Sequence, residues 1–338
     1  MNASPSFQSS VSGYSLRRLR PADAPGVTEL VRAVYGDSYY PGDLYDPGRI
    51  VRLNEAGRLV SVVALAAGEQ VVGHYALERP DLGKVAEASD AIVLPEHRHH
   101  HLLEEMRVLL REEALREGLV GLVGYPVTNH VFSQRAEDHF GSHPCGIALG
   151  LWPRTFHNLP EPLPQRMSFV IYFKYLRPPG QALHVATRHR DVCARICGQF
   201  GIPVRFDDDA GPAGEGEVEV ESEPAVETGT VRVRRVGADT PAAVRQARDR
   251  LCGGGARAVT LELPLTHPGA AAVCAAAEAD GFFFCGLGPA FAGDGDVLLL
   301  QYLQEDVDPS LLQVENPFAQ ELLRYVVAER DRVRGRPH

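Results

Sequence analysis

The stretch Ala86–Leu103 constrains the fold of this 338-residue chain more than any other. A β-like run ending Ala91-Ile92-Val93-Leu94 turns through Pro95 into a segment carrying Leu102, Leu103, Met106, Leu109, Leu110 and Leu115 at helical spacing. The spacing predicts a helix from about His99 to Glu117, stopped by Gly118. A strand feeding a helix N-terminus is a ready anion site, because the first amides lack intrahelical partners and the helix dipole is positive there. A turn that wraps a pyrophosphate usually offers glycines, so that backbone amides approach without a Cβ in the way. This turn offers His99, His100 and His101 instead.

Upstream, Tyr14 to Leu19 reads as a strand, and Asp23 can cap a helix running to about Tyr35. Leu59 to Leu65 and Val71 to Leu77, joined by Ala67-Gly68-Glu69-Gln70, read as an antiparallel hairpin. Downstream come a strand from Leu119 to Val127, a helix from Asn129 to Phe140 ended by Gly141, and strands near Cys145 to Leu151 and Ser168 to Leu176. The later half echoes this order. Leu261-Glu262-Leu263-Pro264-Leu265-Thr266-His267, a helix, Gly281, and strands Phe282 to Leu287 and Val297 to Leu303 repeat the segment that begins at Leu122, pairing Pro126 with Pro264 and Thr128 with Thr266. Before that echo, Thr230 to Val236 reads as a strand and Thr240 to Leu251 as a helix, joined by a turn with an acidic residue and no Arg, which argues against a nucleotide there. Asp207 to Gly229 is acidic without Lys or Arg and reads as a solvated loop around a short strand, Val218 to Val220. Asn316-Pro317 caps a docked terminal helix.

The order strand, helix, three strands, helix, strand, helix, two strands over Tyr14 to Leu176 resembles the GNAT superfamily of acyl-CoA-dependent N-acyltransferases. The resemblance implies an α/β fold (an α+β mixed sheet flanked by helices), here as two tandem lobes. Expected boundaries are a disordered stretch 1–13, a first lobe 14–176, a connecting segment 177–229 and a degenerate second lobe 230–338. It also implies acetyl-CoA or another acyl-CoA as co-substrate, held by a Q/R-x-x-G-x-G/A turn. Arg98 keeps the first position of that turn, while His101 and Leu103 replace both small residues. Imidazoles near pKa ~6.5 gain protons and become cationic donors when a phosphate arrives. Adjacent histidines point in different directions on a helix, which is poor metal geometry, so no metal is expected there.

Within the resemblance, Arg98, His99, His100, His101 and Asn129 bind the cofactor, and a backbone amide of Val93 or Leu94 polarises the thioester carbonyl. Thr128 or Asn129 also reads as an N-cap of the following helix. Glu87, eleven positions before Arg98, takes the place of a base that removes the acceptor amine's proton, with Asp90 the competing choice, because an amine attacks only when neutral. The tyrosine that protonates the departing thiolate in the family has no counterpart near Ala136 or Glu137. Four of the eleven tyrosines and three aspartates fall between Tyr35 and Asp46. Tyr39, Tyr40, Asp43 and Tyr45 there suit a cationic or aromatic acceptor, or pack to close a long loop.

Two functions follow: acyl transfer from acyl-CoA to a small-molecule or protein amine, or a GNAT-fold binding or regulatory protein that has lost its cofactor. Net charge −10 without a basic cluster argues against nucleic acid. No apolar run reaches spanning length, and the Ser-rich start lacks an apolar core, so neither membrane nor signal peptide is expected. The six cysteines form no C-x-x-C pair, and Cys193 and Cys197 read as small buried residues. A reduced, cytoplasmic monomer or homodimer is expected.

Overall fold

The computed structural model describes residues 7–8, 13–40, 42–155, 162–177, 182–206, 210–293 and 295–335. The chain packs as two units, Met1–Val123 with Thr155–Pro162, and Gly124–Arg154 with Leu163–His338. This division falls inside the stretch 14–176 expected as one lobe. Each unit is a mixed β-sheet flanked by helices. Among the described residues no helix is long and apolar enough to cross a membrane.

The first unit contains, in chain order, β1 (Phe7–Gln8), β2 (Ser15–Arg18), α1 (Ala24–Tyr35), α2 (Pro47–Glu55), β3 (Leu59–Leu65), β4 (Val71–Glu78), β5 (Val85–Val93), α3 (Leu102–Arg116) and β6 (Gly121–Gly124). Its strands neighbour one another in that order, antiparallel except for the β5–β6 pair. The expected unstructured start lies mostly outside the described residues, and its described part, β1, pairs with β2. All seven residues of β3 are buried, as a strand covered on both faces requires. Helix α1 buries Val27, Leu30 and Val31, but Asp23 does not cap it. Asp23 is buried instead against Arg17 and accepts the Arg20 amide at 2.7 Å. Helix α2 begins with Pro47, and the Asp46 carboxylate accepts the Gly48 amide.

Helix α3 starts at Leu102 rather than His99, because His99 (φ 68°) and His101 (φ 55°) take the left-handed conformation and Pro95–His97 forms a separate single turn. Such backbone costs a residue with a Cβ roughly 1 kcal/mol. Position 101, one of the motif's two small positions, thus has a conformation glycine would adopt freely.

The second unit contains α4 (Phe132–His139), β7 (His143–Trp152), β8 (Met167–Tyr175), β9 (Ala182–Leu183), α5 (Arg190–Gln199), β10 (Arg205–Phe206), β11 (Glu217–Glu223), β12 (Thr228–Arg235), α6 (Thr240–Gly253), β13 (Ala258–Pro264), α7 (Ala270–Ala279), β14 (Phe283–Ala292), β15 (Gly295–Leu303) and α8 (Pro317–Val333). Its main sheet runs β8-β7-β14-β15-β13-β12-β11. The order β5-α3-β6-α4-β7-β8 recurs as β12-α6-β13-α7-β14-β15, with the first two strands parallel and the last two antiparallel each time. Both closing hairpins slip register at a cysteine, between Pro144 and Gly146 in one and between Phe284 and Gly286 in the other. Gly146 and Gly286 pair where β7 meets β14, and a Cβ on Gly146 would stand 2.7 Å from the Cys285 carbonyl oxygen. Cys193 and Cys197 are buried and free.

Three local expectations change. Helix α4 begins at Phe132, after Val131, so neither Thr128 nor Asn129 is its cap, and the Thr128 hydroxyl donates to Ser168 O at 3.0 Å instead. The strand expected over Leu119 to Val127 shortens to β6. The acidic segment, whose residues 207–209 lie outside the described set, contains a full strand, β11, zipped to β12 by Arg232–Glu221, Arg234–Glu219 and Arg235–Glu217 ion pairs. The row of exposed glutamates along this edge strand discourages pairing with another chain. The β12–α6 turn is covered by the protein's own backbone: Ala238 donates its amide to Gly214 O at 2.9 Å, and Gly216 donates to the Asp239 carboxylate at 2.7 Å.

Candidate functional site

The site in the first unit is built on the β4–β5 pair. Glu78 faces Glu87, and Ala76 faces Ser89. Between His74 and Ala76 the register shifts, so Asp90 and Ala91 oppose the single residue Tyr75, and Asp90 takes φ 56°. In a regular strand Asp90 would point away from its neighbour Ser89. The bulge brings both to Glu78: the Ser89 hydroxyl donates to Glu78 Oε1 at 2.8 Å, and the Asp90 and Glu78 carboxyls hydrogen-bond to each other. Tyr39, from the loop after α1, donates its hydroxyl to Asp90 Oδ1 at 2.7 Å.

A buried polar chain supports the bulge from behind. His74, fully buried in β4, places Nδ1 3.2 Å from the Asp90 carbonyl and Nε2 3.0 Å from Ser61 Oγ. A carbonyl only accepts, so Nδ1 carries the proton and Nε2 accepts from Ser61. Asn54 completes the chain, donating to Ser61 Oγ at 3.2 Å and accepting the Ser61 amide at 2.9 Å. Burial pushes the His74 pKa down to about 4, so the ring is neutral.

Three carboxyls in one buried place cannot all ionise freely. Burial, and then the charges of Glu78 and Asp90, push Glu87 well above the usual carboxylate range. Burial and the Glu78 charge do the same to Asp90, against the stabilising Tyr39 hydrogen bond. Burial raises Glu78 as well, opposed by its bonds from Ser89 and Asp90. Tyr39 is also raised well up, by burial and then by Asp90, and remains a neutral donor. Tyr35 links this cluster to the turn beyond: burial raises its hydroxyl, the Arg98 charge lowers it and the Asp90 charge raises it. The arrangement offers a proton acceptor of raised basicity beside a fixed phenol donor.

The other expected residues are spread more widely. Arg98 is exposed and donates Nε–H to Val93 O at 3.2 Å. His97 is 2.9 Å from the Tyr14 hydroxyl, and His100 packs on the Tyr14 ring. His101 lies 3.5 Å from Glu104, and His99 is exposed. No side chain caps α3, so its opening amides have no side-chain acceptor at the cap, although Glu104 and Glu105 sit in its first turn. The Leu94 amide is already donated to Val72 O at 3.0 Å, which leaves Val93 as the remaining candidate for polarising a carbonyl. Tyr45 holds the loop shut, donating to Gly36 O at 2.7 Å and accepting the Tyr39 amide at 2.8 Å. Asp43 pairs with Arg49, while its charge still acts on Glu78 and Asp90. Tyr40 is half-buried in the same loop. Asn129 belongs to the second unit, where its Oδ1 is buried without a hydrogen-bond partner.

A cavity of about 340 Å³ opens elsewhere in the first unit, lined by Asp23, Gly26, Glu29, Glu69 and Val71 among others. It reaches Leu94 but none of the carboxyl cluster.

No protein-family model matches the chain. No curated protein matches it either. Solved structures do. An N-acetyltransferase from Staphylococcus aureus Mu50 is 16% identical, with 49% of this chain and 100% of that chain covered at a TM-score of 0.41. The yncA structure from Salmonella typhimurium, solved with its cofactor acetyl-CoA, is 18% identical, with 50% and 98% covered and a TM-score of 0.41. A spermidine N-acetyltransferase from Vibrio cholerae is 13% identical, with 49% and 95% covered and a TM-score of 0.39.

Proposed function

We propose that this protein transfers an acyl group from acyl-CoA to a cationic amine by direct attack, at the carboxyl cluster of β4 and β5. The observation that carries the reading is the bulge that gathers Glu78, Glu87 and Asp90 under a neutral Tyr39. Bound acyl-CoA would supply an activated thioester. Its pyrophosphate suits the uncapped start of α3 and Arg98, where the left-handed backbone at His101 stands at one of the motif's small positions.

The chain's own groups would then act in order. Glu78 and Asp90 attract the acceptor's ammonium, together with the negative charge of Asp43. Glu87, its basicity raised by burial and by its acidic neighbours, takes the ammonium proton and leaves a neutral amine. Tyr39 fixes Asp90 and closes the acceptor loop over the strand pair. The Val93 amide is the remaining backbone candidate to polarise the thioester carbonyl. We extend the repeated element order to two tandem lobes of one origin, with the first carrying the site.

A binding or regulatory role without chemistry is the second reading, favoured by Glu104 and Glu105 in the first turn of α3, where negative charge opposes an anion. The deciding assay follows thiol release from acetyl-CoA with small diamines and peptide amines as acceptors. The proposal expects turnover in the parent and a loss of 10²-fold or more in Glu87→Gln, within the usual range for a general base. No turnover with any amine, or an unchanged Glu87→Gln enzyme, supports the regulatory role instead.

A further inference from the structure

The second unit holds a buried cluster that acyl transfer does not use. His189 closes the single turn Thr187–His189 just before α5 and is fully buried, its ring stacked 4.9 Å from Phe284. Cys274 and Glu278 lie on α7 at i and i+4, which sets a thiol and a carboxylate on one helix face. One ligand atom from each of His189, Cys274 and Glu278 lies within 4.8 Å of the other two.

The hydrogen bonds around the ring fix its tautomer. The Tyr325 hydroxyl donates to Arg188 O at 3.2 Å, so it accepts from His189 Nδ1–H at 2.8 Å. The other nitrogen, Nε2, then faces Glu278 Oε1 at 2.9 Å. A nitrogen lone pair against a carboxylate is repulsive, so this gap needs a positive species, either a proton on Nε2 or a metal ion. An imidazole oriented by a bond to its far nitrogen, together with sulfur and oxygen donors, is the donor set of zinc.

We propose that His189, Cys274 and Glu278 bind one zinc ion that ties α7 to the turn before α5. Zinc would release two protons to solvent, from Nε2 and from the thiol, so the buried cluster keeps its net charge. Tetrahedral bonds of about 2.0 Å set nitrogen and oxygen roughly 3.3 Å apart, a small opening from the present contact. Arg332 contacts Glu278 at 2.6 Å but also holds Glu329 through Nε at 2.9 Å and Nη2 at 2.6 Å, so it keeps a partner when Glu278 turns to the ion. The Glu278 side chain is 14% exposed, so the carboxylate is the solvent-facing member of the three.

The test is a titration of the purified full chain, freed of metal by chelation, with Co²⁺ as the spectroscopic substitute for zinc. One equivalent should bind with a near-ultraviolet thiolate-to-cobalt band and the visible absorption of a four-coordinate ion, and added Zn²⁺ should bleach both. Cys274→Ser should lose the thiolate band, while Cys252→Ser, at a half-buried cysteine outside this cluster, should keep it. If Cys274→Ser does not fold, Glu278→Gln serves in its place and should weaken Co²⁺ binding tenfold or more. The absence of any band in the folded parent at millimolar Co²⁺, a band that persists in folded Cys274→Ser, or unchanged affinity in Glu278→Gln would overturn the proposal and leave a protonated His189 as the occupant of the gap.

Discussion

Glu87 and Asp90, singled out from the family resemblance, are both brought to the β4–β5 cluster. Glu78, His74, Ser61 and Asn54 are not legible in the sequence, because cross-strand register and a bulge decide which side chains meet, and neither is written in local periodicity. His74 alone left a signal, a polar residue inside Val71-Val72-Gly73-His74-Tyr75. The raised Glu87 predicts a pH–rate profile in which kcat/KM falls as pH drops through a value above the ordinary carboxylate pKa of about 4.3. An acid limb at or below that value would contradict the assigned base. The same shift has a consequence for stability. A carboxyl raised in the folded state binds its proton more tightly there than in the unfolded chain, so its contribution is present at low pH and is lost as pH rises through the folded value. Glu87→Gln should therefore melt higher than the parent at pH 8, and the gap should close as pH falls towards 4, as thermal melts across that range will show. His74 has the opposite sign. Its ring, held near 4, opposes folding as pH falls from about 6.5 to 4, by on the order of 3 kcal/mol.

Among the elements, the hairpin β3–β4 and helix α1 match their sequence pattern because apolar periodicity and turn residues agree there. The starts of α3 and α4 do not match. Histidine gives no hint of a left-handed backbone, and Thr128, a good cap by type, is drawn away to Ser168. The α3 start carries a direct prediction. With φ 55° at position 101, His101→Gly should be tolerated or slightly stabilising, whereas His101→Val, β-branched, should cost roughly 1–2 kcal/mol relative to glycine in denaturant unfolding. Equal stability of the two variants would mean that position 101 is not left-handed. The strand β11 is longer than the expected Val218 to Val220 for a different reason: its glutamates read as solvated charge until the arginines of β12 are set opposite them.

For the whole molecule, the repeat was visible in the Pro126/Pro264 and Thr128/Thr266 echoes, and its closing strands meet glycine to glycine. Gly286→Ala would put a Cβ 2.7 Å from the Gly146 Cα, and should lower stability by roughly 1–3 kcal/mol in chemical unfolding, while Gly253→Ala, with open space around it, should not. The two runs of the recurring element order differ at the turn to which the cofactor is proposed to bind. Before α3 the turn carries Arg98 and an uncapped helix start, whereas before α6 the Ala238 amide is already given to Gly214. The proposed acyl-CoA site therefore falls on the turn before α3 alone. Calorimetric titration of the parent and of Arg98→Ala with acetyl-CoA, between about pH 8 and about pH 6, tests this most directly. The account predicts one equivalent per chain and weaker binding in Arg98→Ala at every pH, since a guanidinium stays charged throughout. Binding that is indifferent to the loss of Arg98, or no binding at all, would contradict it.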